Sequence, residues 1–400
     1  MYKIDNLDHF GRGITRINNK ITFVENALPN EVVELKIKNE KKNYIEATVS
    51  KYIEKSKDRE SIKCPYYDNC GGCNIMHLSY LKQLEFKQNK IKNIISKYLN
   101  DDIKINEIVP SNKDISYRNK VTFQVKKNIG FYKNNTYELI SIDKCLLGNE
   151  IINKSIKYLN KLDLSSINKI ICRTGSNELM IIIETTNPNL NIDILKDIAS
   201  SIYLKVNNEY IHVYGNKNIY EQLSNYKYII SPDSFFQVNI DVCTKLYNKI
   251  KEYIKEDKNV LDLYCGTGSI GIFVSQNNSV IGIEKNKFAI MDANKNIELN
   301  NLKNIKFICG DSGKEINNIK YNPDTIIVDP PRSGLNIETI NNILKYNSKN
   351  IIYVSCDPMT LVRDLKLLNN NYYVKEITPF DMFPNTYHVE TLTLLVKKNN

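Results

Sequence analysis

Val260-Leu261-Asp262-Leu263-Tyr264-Cys265-Gly266-Thr267-Gly268-Ser269-Ile270-Gly271 decides the fold of this 400-residue chain. An apolar run ends in a glycine-rich turn, and an apolar helical pattern follows at once, which is how a buried strand opening onto a helix reads. Glycines in such a turn let a ligand come close to the backbone. A dinucleotide-binding turn also reads G-x-G-x-x-G, so the glycines alone do not name the ligand. Asp262 does more, because an acid inside the strand repels a pyrophosphate and attracts a sulfonium that carries an ammonium group. The expected ligand is S-adenosylmethionine.

Outward from that turn, the chain after Phe235 alternates helices with short strands that are apolar on both faces: 259–263, 279–283, 306–308, 325–328 and 351–354. Strands of this kind belong to a parallel sheet covered by helices, so the C-terminal part is expected to be a Rossmann-like, doubly wound α/β domain. Its strands end in carboxylates. Glu284 ends the second strand, positioned to accept the ribose hydroxyls, and Asp311 follows the third within reach of an adenine amino group. The fourth delivers Asp329-Pro330-Pro331-Arg332, whose two prolines make a stiff loop behind the Asp329 carboxylate. An adenine-directed methyltransferase would carry an aromatic residue after the prolyl pair; Arg332 argues against that class. The fifth strand closes in Ser355-Cys356-Asp357-Pro358, so Cys356 emerges on the same edge as Asp329. A thiolate adding to carbon 6 of uracil makes carbon 5 nucleophilic, and a base must later take the carbon 5 proton. Glu390, in His388-Val389-Glu390-Thr391, is the candidate base.

Upstream, residues 1–56 read as short strands at 11–13, 20–24, 32–37 and 44–52 separated by turns, the pattern of a small, OB-like β-barrel. Apolar residues Leu81, Leu84, Ile91, Ile94, Ile95 and Tyr98 predict an amphipathic helix over 79–99. Strand-like runs at 120–125, 169–173 and 179–184 make the central segment, 57–234, a mixed α+β domain, with 235–400 as the catalytic domain. Cys64, Cys70 and Cys73 cluster around Gly71-Gly72, and Cys145 is a candidate fourth ligand. Spacing alone fits zinc and a [4Fe-4S] cluster equally well. His77 reads as a surface histidine, with zinc ligation as the alternative, and Cys172, Cys243, Cys265 and Cys309 as buried small apolar residues.

Net charge is +10, from 55 basic and 45 acidic residues, and residues 1–150 hold 26 Lys and Arg against 19 Asp and Glu. The excess at the front favours a polyanionic partner bound there first. No apolar run is long enough to span a membrane, and the first ten residues are too polar for a signal peptide, so a cytoplasmic protein without a membrane partner is expected. Nine cysteines in that setting point to metal or catalytic use rather than disulfides.

These motifs resemble the RumA/TrmA family of RNA uracil-5-methyltransferases, and in particular its ribosomal RNA branch with an iron-sulfur cluster. The resemblance runs through Phe235-Phe236-Gln237-Val238-Asn239, the 260–271 turn, Asp329 to Arg332, Ser355 to Pro358 with Thr360, and His388 to Glu390. It implies that Gln237, Tyr264, Gly266, Gly268, Ser269, Glu284, Asp311 and Asp329 form the cofactor site. It also implies that Cys356 attacks the base and that Glu390 removes the proton. Ser269 and Asp311 stand where some members carry Asn. The same resemblance implies that Cys64, Cys70, Cys73 and Cys145 hold a [4Fe-4S] cluster. Gly11-Arg12-Gly13 with Phe23 to Pro29 resembles a TRAM domain, and transfer RNA members usually lack both parts. The implied substrate is therefore 23S ribosomal RNA, met before or during subunit assembly by a monomeric enzyme. The segment of about 76–108 is expected to pack on the catalytic domain, and Arg118 to lie near the RNA.

Overall fold

The computed structural model describes residues 1–99, 102–134 and 136–398. Its N-terminal part is a six-stranded antiparallel and parallel sheet whose two edge strands are Tyr2–Lys3 and Asn6–Leu7. Only two residues separate those edges along the chain, so the sheet curls until its edges adjoin and forms the expected barrel. Gly11 to Gly13 is a turn into the Gly13–Ile17 strand rather than a strand itself. Gly11 has φ of 80°, and a Cβ there would lie 2.3 Å from Ile75 Cγ2, so the barrel rests directly on the cysteine loop.

The central segment builds a seven-stranded sheet from Leu139–Ser141 to Glu209–Gly215, including Lys120–Val125, Ile167–Gly175 and Glu178–Thr185. One face packs on the Glu150–Leu159 helix. The other, with Met180, Ile182 and Tyr203, shares a core with Leu246, Ile250 and Phe273 of the catalytic domain.

The catalytic sheet has eight strands in the order Ile305–Cys309, Ser279–Glu284, Asn259–Leu263, Thr325–Val328, Asn350–Ser355, Glu390–Lys397, Tyr372–Phe380 and Lys104–Ile105. The first five run parallel, and Glu390–Lys397 is inserted antiparallel. Strand order reverses at Asn259–Leu263, which opens a crevice beyond the carboxyl ends of that strand and Thr325–Val328. The last three strands in that order gave no separate signal in the sequence reading.

The expected helix spans Tyr80–Tyr98 and packs on the catalytic domain through Ile91 and Ile95 against Val362, Ile377 and Val389. The Lys104–Ile105 strand then joins that domain's sheet edge, so the 57–234 segment is interrupted in space. Residues 100 and 101 of the expected 76–108 segment lie outside the described residues. One expectation is corrected: Leu81 is 78% exposed, whereas Gln83 and Lys87 are buried with Ile91 and Ile95. The four recur at i, i+4, so the inward stripe is half polar. Lys87 forms an ion pair with Asp381, both fully buried. Burial pushes the Lys87 ammonium's pKa down. Breaking a sealed pair by removing one partner costs about 3–5 kcal/mol. Among the described residues no helix is long and apolar enough to cross a membrane.

Candidate active site

The turn after Asn259–Leu263 places three residues in the left-handed region, Tyr264 (φ 62°), Gly266 (φ 55°) and Gly268 (φ 76°). The two glycines are there for different reasons. A Cβ on Gly268 would fall 2.2 Å from Phe307 Cζ, so internal packing requires it, whereas a Cβ on Gly266 would meet nothing within 4 Å. Gly266 is thus the bare face of the turn, open to a ligand. Its N–H donates to Glu284 Oε2 at 3.3 Å, and Glu284 Oε1 accepts from Asn286 at 2.7 Å, which fixes this carboxylate beside the turn.

Asp262 is fully buried beneath the turn. Its Oδ2 accepts from the Gly271 N–H at 3.0 Å, and its Oδ1 has no partner among the described residues. Burial, then the Asp329 and Glu284 charges, push its carboxyl up to about 8. Asp311 caps the Ser312–Glu315 helix by accepting from Gly313 at 3.0 Å, and its other oxygen faces Lys285 at 4.0 Å. The Tyr264 hydroxyl shares a hydrogen bond of 3.2 Å with Thr339 Oγ1. The Ser269 hydroxyl is committed to the buried Tyr247 hydroxyl at 2.8 Å, so it serves packing behind the turn. Gln237 is half-buried, and its carbonyl accepts from Asn119 of the central domain.

Asp329 leaves the Thr325–Val328 strand next to Leu263, whose carbonyl accepts its N–H at 3.4 Å. Among the described residues nothing donates to its carboxyl, and burial pushes it up to about 7. A buried carboxyl without a donor fits a ligand that brings positive charge.

Strand register assembles the rest. Ser355 pairs with Thr391 in the antiparallel ladder, so one step further the thiol-bearing Cys356 and the carboxyl-bearing Glu390 come opposite each other. Asp357 caps the next helix by accepting from Met359 and Thr360, and Pro358 occupies its first turn, so Cys356 sits just ahead of a helix N-terminus. Burial first, then the Glu390 and Asp329 carboxylates, push the Cys356 thiol up to about 11, against the opposing pull of Arg332. Burial, with Asp329, also holds the Glu390 carboxyl well above the usual range, and Arg332 again opposes. A thiol and two carboxyls of raised pKa thus meet at one sheet edge.

Comparison with known proteins assigns the family. The family described as tRNA (Uracil-5-)-methyltransferase matches residues 177–398, and the TRAM domain family matches residues 3–50. The chain belongs to the tRNA (uracil-5-)-methyltransferase family. Proteins described as uncharacterized RNA methyltransferases from Caldanaerobacter subterraneus and Aquifex aeolicus are each 35% identical, over 98% and 99% of this chain and 97% and 98% of their own. The Pyrococcus abyssi tRNA (uracil-54, C5)-methyltransferase in complex with S-adenosyl-L-homocysteine superposes with a TM-score of 0.83 at 29% identity. That match covers 99% of this chain and 100% of the archaeal one. This chain is accordingly an S-adenosylmethionine-dependent RNA (uracil-5-)-methyltransferase, with an N-terminal TRAM domain.

In this family member the four clustered cysteines share one place. Cys64, Cys70, Cys73 and Cys145 are free, half-buried, and line a single cavity of about 360 Å³ with Tyr66, Met76 and Leu147. Burial and the neighbouring thiols raise the pKa of Cys64, Cys70 and Cys73, with Cys145 acting on each. Among the described residues no three His, Cys, Asp or Glu side chains form a group that could hold a single metal ion. The thiols ring a chamber rather than converge on a point.

Two expectations about single residues are corrected. His77 is fully buried: its Nδ1 shares a 2.6 Å hydrogen bond with the Tyr67 hydroxyl, and burial pushes its pKa down to about 3. Cys309 is exposed at the end of its strand, while Cys172, Cys243 and Cys265 are buried as expected. Arg118 lines both the cysteine cavity and a groove bounded by Phe10 and Arg12 of the barrel and by Tyr387 and His388 of the catalytic domain. Its Nε is buried without a partner among the described residues. Sequence reasoning missed Asn119, Gln83, Lys87 and Asp381; Gln83 and Lys87 carried a signal, as polar residues on the helix stripe that should be apolar.

Proposed function

We propose that this enzyme methylates carbon 5 of a uridine in 23S ribosomal RNA through a covalent adduct on Cys356. The observation that carries the reading is the ladder register that sets Cys356 opposite Glu390 beside Asp329. Cys356, as thiolate, adds to carbon 6 of the uracil, and the ring electrons move onto the carbonyl oxygen at carbon 4, making carbon 5 nucleophilic. When bound, S-adenosylmethionine supplies the electrophilic methyl group that carbon 5 attacks. Glu390 then takes the carbon 5 proton, the carbon 5–carbon 6 double bond re-forms, and the bond to Cys356 breaks with its electron pair returning to sulfur. The raised pKa of Glu390 makes its ionised form the stronger base. Gly266 and Glu284 are assigned to the nucleoside side of the cofactor, with Tyr264 and Asp311 flanking the adenine. Asp329, Gln237 and the turn's Gly268 are assigned to the methionine side.

The four cysteines are assigned to a [4Fe-4S] cluster. Four thiols line one partly apolar cavity, and four cysteine sulfurs are the donor set such a cluster takes. Boundaries at 56 and 234, a cytoplasmic location and action as a monomer complete the reading.

The choice of RNA has a second candidate. The family resemblance favours 23S ribosomal RNA, whereas the archaeal protein that matches nearly all of both chains, barrel included, acts, by its name, on uracil-54 of tRNA. Offering the enzyme unmodified 23S and transfer RNA with labelled cofactor, and mapping 5-methyluridine by mass spectrometry, separates the two. RNA bearing 5-fluorouracil tests the chemistry: fluorine cannot leave as a proton, so a stable adduct on Cys356 is expected. An adduct that persists in Cys356→Ala rejects the mechanism.

A further inference from the structure

The nine residues 381–389 connect the Tyr372–Phe380 and Glu390–Lys397 strands, and the Phe380–Glu390 pair closes the connection. Glu390 is therefore the first ladder residue after this loop, and its position depends on how the loop is held. The loop is fixed largely from outside. Gln83 Nε2 donates to Asn385 Oδ1 at 3.1 Å, and Asn385 N–H donates back to Gln83 Oε1 at 2.8 Å. Lys87 Nζ pairs with Asp381 and donates to the Phe383 carbonyl at 2.9 Å; Lys90 Nζ donates to the Tyr387 carbonyl at 3.0 Å. Residues 83, 87 and 90 follow i, i+4, i+7 spacing, so one face of the Tyr80–Tyr98 helix grips positions 381, 383, 385 and 387. The Asn74 and Ile75 N–H groups of the cysteine loop also donate to the Asn385 carbonyl, at 3.0 and 3.3 Å. Asn385 itself adopts the left-handed region (φ 66°), a conformation that needs outside support.

A sealed Lys–Asp pair is a poor source of stability compared with apolar packing, and its best-attested use is to select one arrangement over its neighbours. A base that must meet one carbon atom needs that selection. The hydrogen bonds of this helix face go to the loop, while Cys356 and the glycine-rich turn are delivered by other strands. We propose that Gln83, Lys87 and Lys90 are positioning residues for proton removal: they index the 381–387 loop so that Glu390 reaches carbon 5 of the methylated base. The inference rests on the reading of Glu390 as the base.

Gln83→Leu and Lys90→Met, alone and combined, test it in the full-length enzyme, with Lys87 left intact to protect the fold. The readout is the fraction of enzyme held in a denaturation-resistant, methylated RNA adduct during turnover, alongside kcat, the KM for S-adenosylmethionine and the melting temperature. The double variant is expected to accumulate adduct and lose kcat by roughly tenfold each, with the KM changed by less than about twofold. Glu390→Gln serves as the reference for blocked proton removal. If Glu390→Gln traps adduct while the double variant releases RNA at the wild-type rate, the positioning role falls and the base assignment stands. If Glu390→Gln releases product normally, the base assignment itself falls. Parallel loss of adduct formation and cofactor binding in the double variant would likewise overturn the proposal, because it would mark a general role in folding.

Discussion

Asn119 suspends Gln237 from the central domain: its Nδ2 donates to the Gln237 carbonyl at 3.0 Å, and its backbone N–H donates to the Val238 carbonyl at 3.1 Å. The segment that carries Gln237, proposed for the cofactor site, is thereby hung on a different domain. Asn119→Asp keeps the size and removes the side-chain donor, leaving an oxygen against the carbonyl. Losing one such bond is worth about 1 kcal/mol, or roughly a fivefold change in an equilibrium. The KM for S-adenosylmethionine should rise by about that factor while kcat moves less; an equal fall in kcat with the KM constant would remove Gln237 from the cofactor side.

Asp329 sets a pH dependence whose sign follows from its environment. Burial raises its carboxyl to about 7, so acid keeps it neutral and alkali ionises it. A cationic ligand prefers the ionised form. Affinity for S-adenosylmethionine, measured by calorimetry, should therefore strengthen from pH 6 to pH 8 and level off above. Asp329→Asn should bind about 10–100-fold more weakly, as expected for losing a charge-assisted contact, and with a flat profile. A wild-type affinity unchanged across this range would detach Asp329 from the ligand.

Cys356 in the free enzyme is expected to be a sluggish thiol. With its pKa at about 11, the thiolate is scarce at neutral pH, and alkylation by iodoacetamide should keep accelerating well past pH 9. Arg332 is the charged side chain that lowers this value. Arg332→Ala should slow alkylation at pH 8 by a factor of roughly 3–10, read by peptide mass mapping at Cys356. Faster alkylation in that variant would mean the guanidinium does not face the thiol.

Much of this architecture is local and hence legible. The 260–271 turn, the parallel strands and the barrel strands each carry their signal within a dozen residues, and the Asn259–Leu263, Thr325–Val328 and Lys120–Val125 strands coincide with the sequence reading. Cys356 and Glu390 were legible as single residues in motifs. The chemistry of those motifs calls for the two to meet, but the register that brings them opposite was not legible, because the apolar C-terminal run does not reveal an antiparallel strand pair. Lys87 and Asp381 lie 294 positions apart, and a lysine in a helix reads as solvated until its partner is seen. Leu81 misled for the converse reason: an apolar residue at helical spacing remains exposed when nothing lies opposite. His77 shows the same limit, since only tertiary packing distinguishes a surface imidazole from one sealed against Tyr67.

Cys145 is the ligand candidate that closes the central fold. It lies far along the chain from Cys73, yet both line one cavity and Cys145 helps raise the pKa of the Cys73 thiol. A metal group bound by all four would tie the cysteine loop to the segment before Glu150–Leu159, and binding that requires the folded site adds to stability by mass action. Protein purified without oxygen should contain iron and acid-labile sulfide in equal amounts, about four of each per chain. Cys145→Ser should lose most of both and melt at a lower temperature, while Cys309→Ser, on the exposed end of a catalytic strand, should keep them. The barrel rests on Ile75, two residues beyond Cys73, so loss of the group should also expose the barrel-to-loop contact to proteolysis. Stoichiometric zinc with no sulfide would overturn the cluster assignment and leave the cavity to a different chemistry.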